Sequence, residues 1–234
     1  MTNHVTRVPL GVPGLDPLIS GGVKKNSINL VAGGAGAGKT IFAMQFLITG
    51  ITQFNEPAIY MTFEEKKHRT YEDMLQFGWD LEKYEKEGKF VYLEYTPEQV
   101  KKILVEGGGT IEATIEKIKA KRIVIDSVTS FALLYKDELT KKEASLALFE
   151  LINEWDMTAL LTSQDASTEQ DTISAALEFE ADGIIILYHV KRGSTRKRAI
   201  EILKMRGTKI PDKTFAFEIN EHGIVVHPET VVEF

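Results

Sequence analysis

A glycine-rich run near the start of the chain ends in a lysine and a threonine, a combination that binds phosphate. Residues 33–40 read Gly-Gly-Ala-Gly-Ala-Gly-Lys-Thr and match every fixed position of the pattern G-x-x-x-x-G-K-[ST]. Glycines let the backbone turn tightly and direct N–H groups at phosphate oxygens, where a Cβ would interfere. In this pattern Lys39 reaches the β- and γ-phosphates of a nucleoside triphosphate, and Thr40 binds magnesium. The residues expected to contact the triphosphate are Gly34, Ala35, Gly36, Ala37, Gly38, Lys39, Thr40 and Ile41.

The segments on either side of this run are those that a phosphate-binding loop requires. Ser27–Ala32 is predicted to be a short buried strand, and Thr40–Gln53 carries apolar residues at helical spacing. Phosphates bound between them would meet the free N–H groups and the positive dipole of a helix N-terminus. The alternative, a flexible glycine linker, would not lie between a buried strand and an amphipathic helix.

Acidic residues follow two further predicted strands. Asp126 ends the apolar run from Arg122, and Glu64 and Glu65 follow the strand Ala58–Phe63. Because parallel strands present their carboxyl ends at one edge of a sheet, Asp126 is expected beside Thr40, where it would bind Mg²⁺ directly or through water. Either glutamate could be the general base that activates water. The competing interpretations are that Asp126 caps a turn and that the glutamates begin a charged helix.

Four other polar residues, in two pairs, are candidates for the same chemistry. Ser163 and Gln164 end the predicted strand Ala159–Ser163, where they would either contact the γ-phosphate or begin a turn. Lys204 and Arg206 stand two residues apart on a predicted strand, and strand alternation directs both to one face. They are either solvated charges or cations that stabilise a phosphate.

Composition limits the classes of protein to consider. The 234 residues carry a net charge of −6, 43% hydrophobic and 26% charged residues, and no cysteine, which excludes disulfides and cysteine nucleophiles. No apolar run is long enough for a membrane span, and residues 1–7 lack the apolar core of a signal peptide. We therefore expect a soluble cytoplasmic protein with one domain over residues 1–234.

Strand and helix patterns alternate along most of the chain, which predicts a doubly wound α/β fold. Beyond about residue 183 strands follow one another directly, which predicts an antiparallel extension of the sheet. The remaining predicted strands are Phe90–Leu93, Gly183–Tyr188, Ala199–Lys204, Thr214–Ile219 and Gly223–His227, and the remaining helices are Lys67–Gln76, Thr110–Lys119 and Lys142–Glu154.

Taken together, these segments resemble the KaiC-like branch of the RecA/RadA ATPase superfamily, in the single-domain form found in archaea. The resemblance extends over nearly the whole chain. The segments that carry it are Gly11–Asp16, Gly21–Gly22, Gly33–Thr40, Thr62–Glu65, Phe77–Trp79, Ile125–Ser127, Leu161–Ser163, Lys204–Thr208 and His222–Ile224.

The resemblance implies a RecA-like P-loop NTPase that hydrolyses ATP with Mg²⁺. In that family the paired glutamates are the catalytic carboxylates, so Glu64 would be the proton acceptor and Glu65 its partner. Family members commonly form hexameric rings with ATP between subunits, and Lys204 and Arg206 would then reach the neighbour's γ-phosphate. The segment Phe77–Trp79 would lie near the adenine, with packing in the core as its alternative role.

Three departures from the family pattern modify what the resemblance implies. Ile210 stands where the family often has a histidine, so one nucleotide contact is missing, and Gln164 stands where many KaiC relatives carry glutamate. Glu178 and Phe179 occupy the positions of the phosphorylated serine and threonine of the clock protein's second domain. Clock-type autophosphorylation is therefore not expected.

Two other functions remain open from the sequence. One is a nucleotide-binding regulatory scaffold with little turnover. The other is a RadA-like accessory to DNA repair or recombination, for which the basic run Lys191–Arg198 is the local support. The acidic net charge does not support nucleic acid binding, and Gly193-Ser194 indicates that the run is a solvated hairpin tip.

Overall fold

The computed structural model describes residues 5–106, 109–132, 134–164 and 179–233. Its strands are Arg7–Val8 (β1), Val23–Lys24 (β2), Ile28–Gly33 (β3), Ala58–Thr62 (β4), Phe90–Glu94 (β5), Arg122–Asp126 (β6), Thr158–Ser163 (β7), Gly183–Arg192 (β8), Thr195–Met205 (β9), Phe215–Asn220 (β10) and Gly223–Val231 (β11). Its α-helices are Lys39–Gln53 (α1), Lys67–Leu75 (α2), Leu81–Lys86 (α3), Pro97–Glu106 (α4), Gly109–Ile118 (α5), Val128–Ala132 (α6) and Glu138–Glu154 (α7).

A nine-stranded mixed sheet forms the centre of the fold, in the order β11-β10-β9-β8-β3-β7-β6-β4-β5. The six strands from β8 to β5 in this order run parallel, whereas β9, β10 and β11 continue the sheet in antiparallel pairs. The strand β3, which leads into the glycine-rich run, lies between β7 and β8. The α/β fold with a parallel core and a C-terminal antiparallel extension is confirmed.

Both faces of the parallel strands are buried, as their continuous apolar sequences require. Along β6, Val124 faces one apolar core together with α1, while Ile123 and Ile125 face a second core together with α7. Helix α1 buries an unbroken series of ten residues from Phe42 to Ile51. This packing fixes the start of α1 directly behind the end of β3. No helix among the described residues is long and apolar enough to cross a membrane.

The structure lengthens several predicted elements. Strand β8 extends to Arg192 and strand β9 begins at Thr195, so both are longer than predicted. They form a hairpin whose charged outer part is exposed and therefore lacks the apolar pattern of a buried strand. Helix α7 begins at Glu138 rather than at residue 142, since the Asp137 carboxylate accepts a hydrogen bond from the N–H of Thr140 at 2.9 Å. Helices α3, α4 and α6 were not predicted.

Candidate functional site

The loop between β3 and α1 has the backbone form that a phosphate-binding loop needs. Gly36 and Gly38 have φ angles of 73° and 106°, a region that side chains other than glycine rarely adopt. A Cβ on Gly38 would also lie 3.0 Å from the Ile219 side chain on β10. Ala37 is buried, whereas Ala35 and Gly36 are exposed at the apex of the loop. The loop is therefore anchored at its base and open at its tip.

Lys39 lies across the mouth of this loop. Its ammonium donates hydrogen bonds to the carbonyls of Gly33, at 2.8 Å, and Gly34, at 3.0 Å. Burial lowers the pKa of Lys39, and the nearby carboxylates of Asp126 and Glu64 act in the opposite direction. A negatively charged phosphate would offset the free-energy cost of burying the charged ammonium. The lysine therefore lies where a bound anion would stabilise its charge.

The Asp126 carboxylate, at the end of β6, faces the first turn of α1. Its Oδ2 accepts hydrogen bonds from the Thr40 hydroxyl at 2.9 Å and from the Tyr60 hydroxyl at 2.7 Å. Its Oδ1 accepts one from the Thr162 hydroxyl at 2.5 Å. The expected proximity of Asp126 and Thr40 is thus present. Tyr60 and Thr162 were not predicted, because the sequence pattern identified them only as buried strand residues.

The Thr40–Asp126 pair has the chemistry of a magnesium site. Mg²⁺ prefers oxygen ligands, keeps several waters, and is commonly bound by one or two protein oxygens together with substrate phosphates. A threonine hydroxyl and a half-buried carboxylate oxygen 2.9 Å apart, beside a phosphate-binding loop, fit that description. Thr40 and Asp126 are the residues that would hold the ion.

Glu64 and Glu65 follow β4 but face different surroundings. The Glu64 carboxylate accepts a hydrogen bond from the Ser127 hydroxyl at 2.9 Å and contacts the Ser130 hydroxyl, so it lies beside the end of β6. The Glu65 carboxylate instead accepts a hydrogen bond from Thr70 on α2, at 3.1 Å. Glu64 is therefore directed toward the strand that carries Asp126, and Glu65 toward α2.

Burial raises the pKa of Glu65, with the Thr70 hydrogen bond acting in the opposite direction. The backbone carbonyl of Glu65 accepts a further hydrogen bond, at 3.1 Å, from the hydroxyl of Tyr92 on β5. Side chain and backbone of Glu65 are thus both tied to the outer part of the sheet. Glu65 is thus held toward α2 and β5, while Glu64 contacts the residues that follow β6.

Ser163 and Gln164 end β7 at the same edge. Ser163 is fully buried, and its hydroxyl lies 3.3 Å from that of Thr129. The backbone N–H of Gln164 donates to the Thr129 hydroxyl at 2.9 Å, and its side chain is exposed. These contacts favour the interpretation that both residues shape the turn after β7.

Lys204 and Arg206 lie at the end of the sheet where the parallel strands begin, whereas the phosphate loop lies where those strands end. Met205 is paired with Gly183 and, through it, with Asn29 at the start of β3, whereas the phosphate loop follows Gly33. Four residue steps of β3 separate the two edges, roughly 13 Å at about 3.3 Å per residue. The cations therefore cannot contact the phosphate loop of the same chain.

The prediction that both cations stand on one strand was wrong for Arg206, because β9 ends at Met205 and Leu203 occupies an irregularity in the pairing with β8. Both side chains nevertheless converge on Phe179. Its carbonyl accepts a hydrogen bond from Lys204 at 3.4 Å and from Arg206 at 2.5 Å. The Phe179 side chain is 71% exposed. Glu178 lies outside the described residues.

Two other segments that carry the family resemblance, Phe77–Trp79 and the residues around Thr208, make packing and hydrogen-bond contacts within the fold. Phe77 and Trp79 stack with ring centroids 5.0 Å apart, and Trp79 is buried in the core beside Gly223. These contacts favour the core-packing role. The Thr208 hydroxyl accepts a hydrogen bond from Arg7 at 2.7 Å, and Ile210 packs against the apolar core that includes α1.

The basic run 191–198 forms the tip of the β8–β9 hairpin, with Gly193 and Ser194 between the strands. At the base of the tip, Arg198 donates to the carbonyl of Gly36 at 3.4 Å, and its buried Nε has no hydrogen-bond partner. Sequence reasoning did not connect this arginine with the phosphate loop, because the hairpin register decides which of its cations lies inward. Lys191, Arg192, Arg196 and Lys197 are exposed.

The comparison with known proteins agrees with this geometry. The sequence model of a family described as "ATPase: KaiC" matches residues 8–231. This chain belongs to the KaiC family. Its architecture agrees as well, since the crystal structure of a KaiC-like protein from Pyrococcus horikoshii superimposes with a TM-score of 0.85 at 37% identity, over 96% of this chain and 100% of that one.

Two relatives of this KaiC-family chain differ in length. A UPF0273 protein of Methanocaldococcus jannaschii is 34% identical over 97% of this chain and 98% of its own. The circadian clock protein KaiC3 of Synechocystis is 35% identical over 99% of this chain but only 48% of its own length. The chain thus spans nearly all of the archaeal relative and about half of the clock protein. This chain therefore carries an ATPase domain of the KaiC family with a RecA-type fold.

Proposed function

We propose that this protein is a magnesium-dependent ATPase whose nucleotide lies between neighbouring subunits of a hexameric ring. The observation that carries the proposal is the convergence of three strand ends: the phosphate loop after β3, Asp126 at the end of β6, and Glu64 after β4. Thr40 lies 2.9 Å from Asp126, and Ser127, which follows Asp126, lies 2.9 Å from Glu64. This arrangement supports a site in which a phosphate cradle, a metal-binding pair and a carboxylate base lie side by side.

In this proposal each group has a separate task. The N–H groups of the loop and the Lys39 ammonium bind the β- and γ-phosphates, while Thr40 and Asp126 hold the metal. A magnesium ion bound by Thr40 and Asp126 would supply positive charge to the phosphate oxygens. The Glu64 carboxylate accepts a proton from the attacking water as its oxygen bonds to the γ-phosphorus and the bond to the ADP oxygen breaks. Glu65 supports Glu64 as its neighbour in the chain, with its own carboxylate held by the Thr70 hydroxyl and its backbone carbonyl held by the Tyr92 hydroxyl.

Lys204 and Arg206 complete the site from the next subunit. They stand at the sheet edge opposite the phosphate loop, so a head-to-tail arrangement, repeated around a closed ring, would bring the cations of one copy to the loop of the next. There they would stabilise charge that develops on the γ-phosphate. Their hydrogen bonds to the Phe179 carbonyl would fix both side chains together.

Phosphate release from ATP tests the enzymatic part of the proposal. We expect release by the wild type with Mg²⁺, loss of release in excess EDTA, and loss of nucleotide binding in Lys39→Ala, whose ammonium contacts the loop carbonyls. The matched control is Lys197→Ala, an exposed cation of the hairpin tip. Release by the wild type no greater than that of a Glu64→Gln, Glu65→Gln double variant would leave a nucleotide-binding scaffold as the function.

A further inference from the structure

The carboxylate of Asp126 is held from both sides within the sheet. Strand β6 lies between β4 and β7, and each of these neighbours supplies one hydroxyl to the carboxylate. Tyr60 on β4 donates to Oδ2 at 2.7 Å, and Thr162 on β7 donates to Oδ1 at 2.5 Å. Each carboxylate oxygen therefore has a donor that is independent of Thr40.

Both hydroxyls are buried, and a buried hydroxyl needs a hydrogen-bond partner. Tyr60 and Thr162 are fully buried within the parallel part of the sheet, and a buried hydroxyl without a partner would cost free energy. Phenylalanine and valine would occupy nearly the same volumes without that requirement. The hydrogen bonds to Asp126 supply the partner that each buried hydroxyl needs.

The position of the Tyr60 hydroxyl is also restricted by packing. The Tyr60 ring packs against the ring of Tyr92, with centroids 5.3 Å apart. This contact restricts where the phenol oxygen can lie relative to the Asp126 carboxylate.

We propose that Tyr60 and Thr162 are positioning residues that orient the Asp126 carboxylate for Mg²⁺ and so set the magnesium affinity of the nucleotide complex. This inference rests on the proposed function, because it assumes that Asp126 binds the metal directly or through water. Hydrogen-bond partners that orient a metal-binding carboxylate change metal affinity by about 10- to 100-fold when they are removed. The role is distinct from catalysis, since neither residue is placed in contact with ATP.

Nucleotide binding as a function of magnesium concentration tests the inference without measuring turnover. The variants are Tyr60→Phe and Thr162→Val, and the probe is a fluorescent, non-hydrolysable ATP analogue titrated at fixed Mg²⁺ concentrations and in EDTA. We expect the half-saturating Mg²⁺ concentration to rise by about tenfold or more in each variant, with analogue affinity in EDTA unchanged. Direct binding of Mn²⁺ to the nucleotide complex, measured by electron paramagnetic resonance, should weaken in parallel.

The matched control is Tyr188→Phe, which removes another phenol that donates to a carboxylate at 2.7 Å, in this case Glu201, away from Asp126. It should leave the magnesium dependence unchanged. An unchanged magnesium dependence in folded Tyr60→Phe and Thr162→Val would overturn the inference, as would an equal loss of affinity in EDTA. Failure of the proposed function is recognised separately, since wild type would then bind the analogue equally with and without Mg²⁺.

Discussion

Replacing Glu64 by Gln is expected to lower the maximal rate of ATP hydrolysis by about 100-fold or more, because a general base contributes on the order of 10²–10⁴ to the rate. The affinity for Mg²⁺–ATP should stay unchanged, since the amide keeps the shape of the side chain and the phosphate loop is intact. The measurements are phosphate release at saturating ATP and equilibrium binding of a fluorescent ATP analogue.

Glu65→Gln is the matched control for this prediction. The Glu65 side chain accepts from Thr70 rather than facing Ser127, and an amide oxygen can still accept that hydrogen bond. We expect a loss of less than about tenfold, as for a group that supports the base without taking the proton. A severe loss in Glu65→Gln with a mild loss in Glu64→Gln would assign the base to Glu65 instead.

Replacing Arg122 by Met is expected to lower the free energy of unfolding by about 3–5 kcal/mol, because it removes three hydrogen bonds from a buried charged group, each worth about 1.5 kcal/mol or more. The side chain is 1% exposed, and its Nε donates to the Glu56 carboxylate at 2.7 Å. Its Nη1 donates at 2.8 Å to the carbonyls of Pro9 and Phe46. One guanidinium thus joins the N-terminal segment, helix α1, strand β6 and the segment before β4.

The Arg122 guanidinium lies so close to α1 that only a glycine fits at position 50. A Cβ on Gly50 would lie 2.4 Å from the Arg122 Nε, so α1 tolerates a glycine in its interior, at a cost of about 1 kcal/mol relative to alanine, to admit the guanidinium. Chemical denaturation measures the loss, with Lys86→Met in an exposed ion pair as the control. Equal midpoints for the two variants would show that the buried arginine contributes nothing to stability.

The positions of Lys39, Thr40, Asp126 and Glu64 at one edge of the sheet could be predicted from the sequence, because each follows a short apolar run. Parallel strands necessarily gather their carboxyl ends, so local patterns were sufficient to predict the meeting of Thr40 and Asp126. The opposite position of Lys204 required only the additional knowledge that β9 runs antiparallel to β8.

Other parts of the site depend on contacts that no local pattern reveals. Tyr60 and Thr162 lie in continuous buried strands like ordinary core residues, and only the strand order β7-β6-β4 places their hydroxyls on Asp126. The inward position of Arg198 likewise depends on the register of the hairpin. The buried place of Arg122 depends on partners more than 60 residues away along the chain.

The claim that ATP is hydrolysed at a site shared by two subunits is tested most directly by mixing two inactive variants. One carries Glu64→Gln, and the other carries Lys204→Ala with Arg206→Ala, so each lacks a different half of the proposed site. After dissociation and reassembly together, a subunit with intact Glu64 can lie beside a neighbour with intact Lys204 and Arg206. We predict that phosphate release returns in the mixture while each variant alone remains inactive. Mixed assemblies that form but stay inactive, or a double variant that hydrolyses ATP as fast as wild type by itself, would contradict the account.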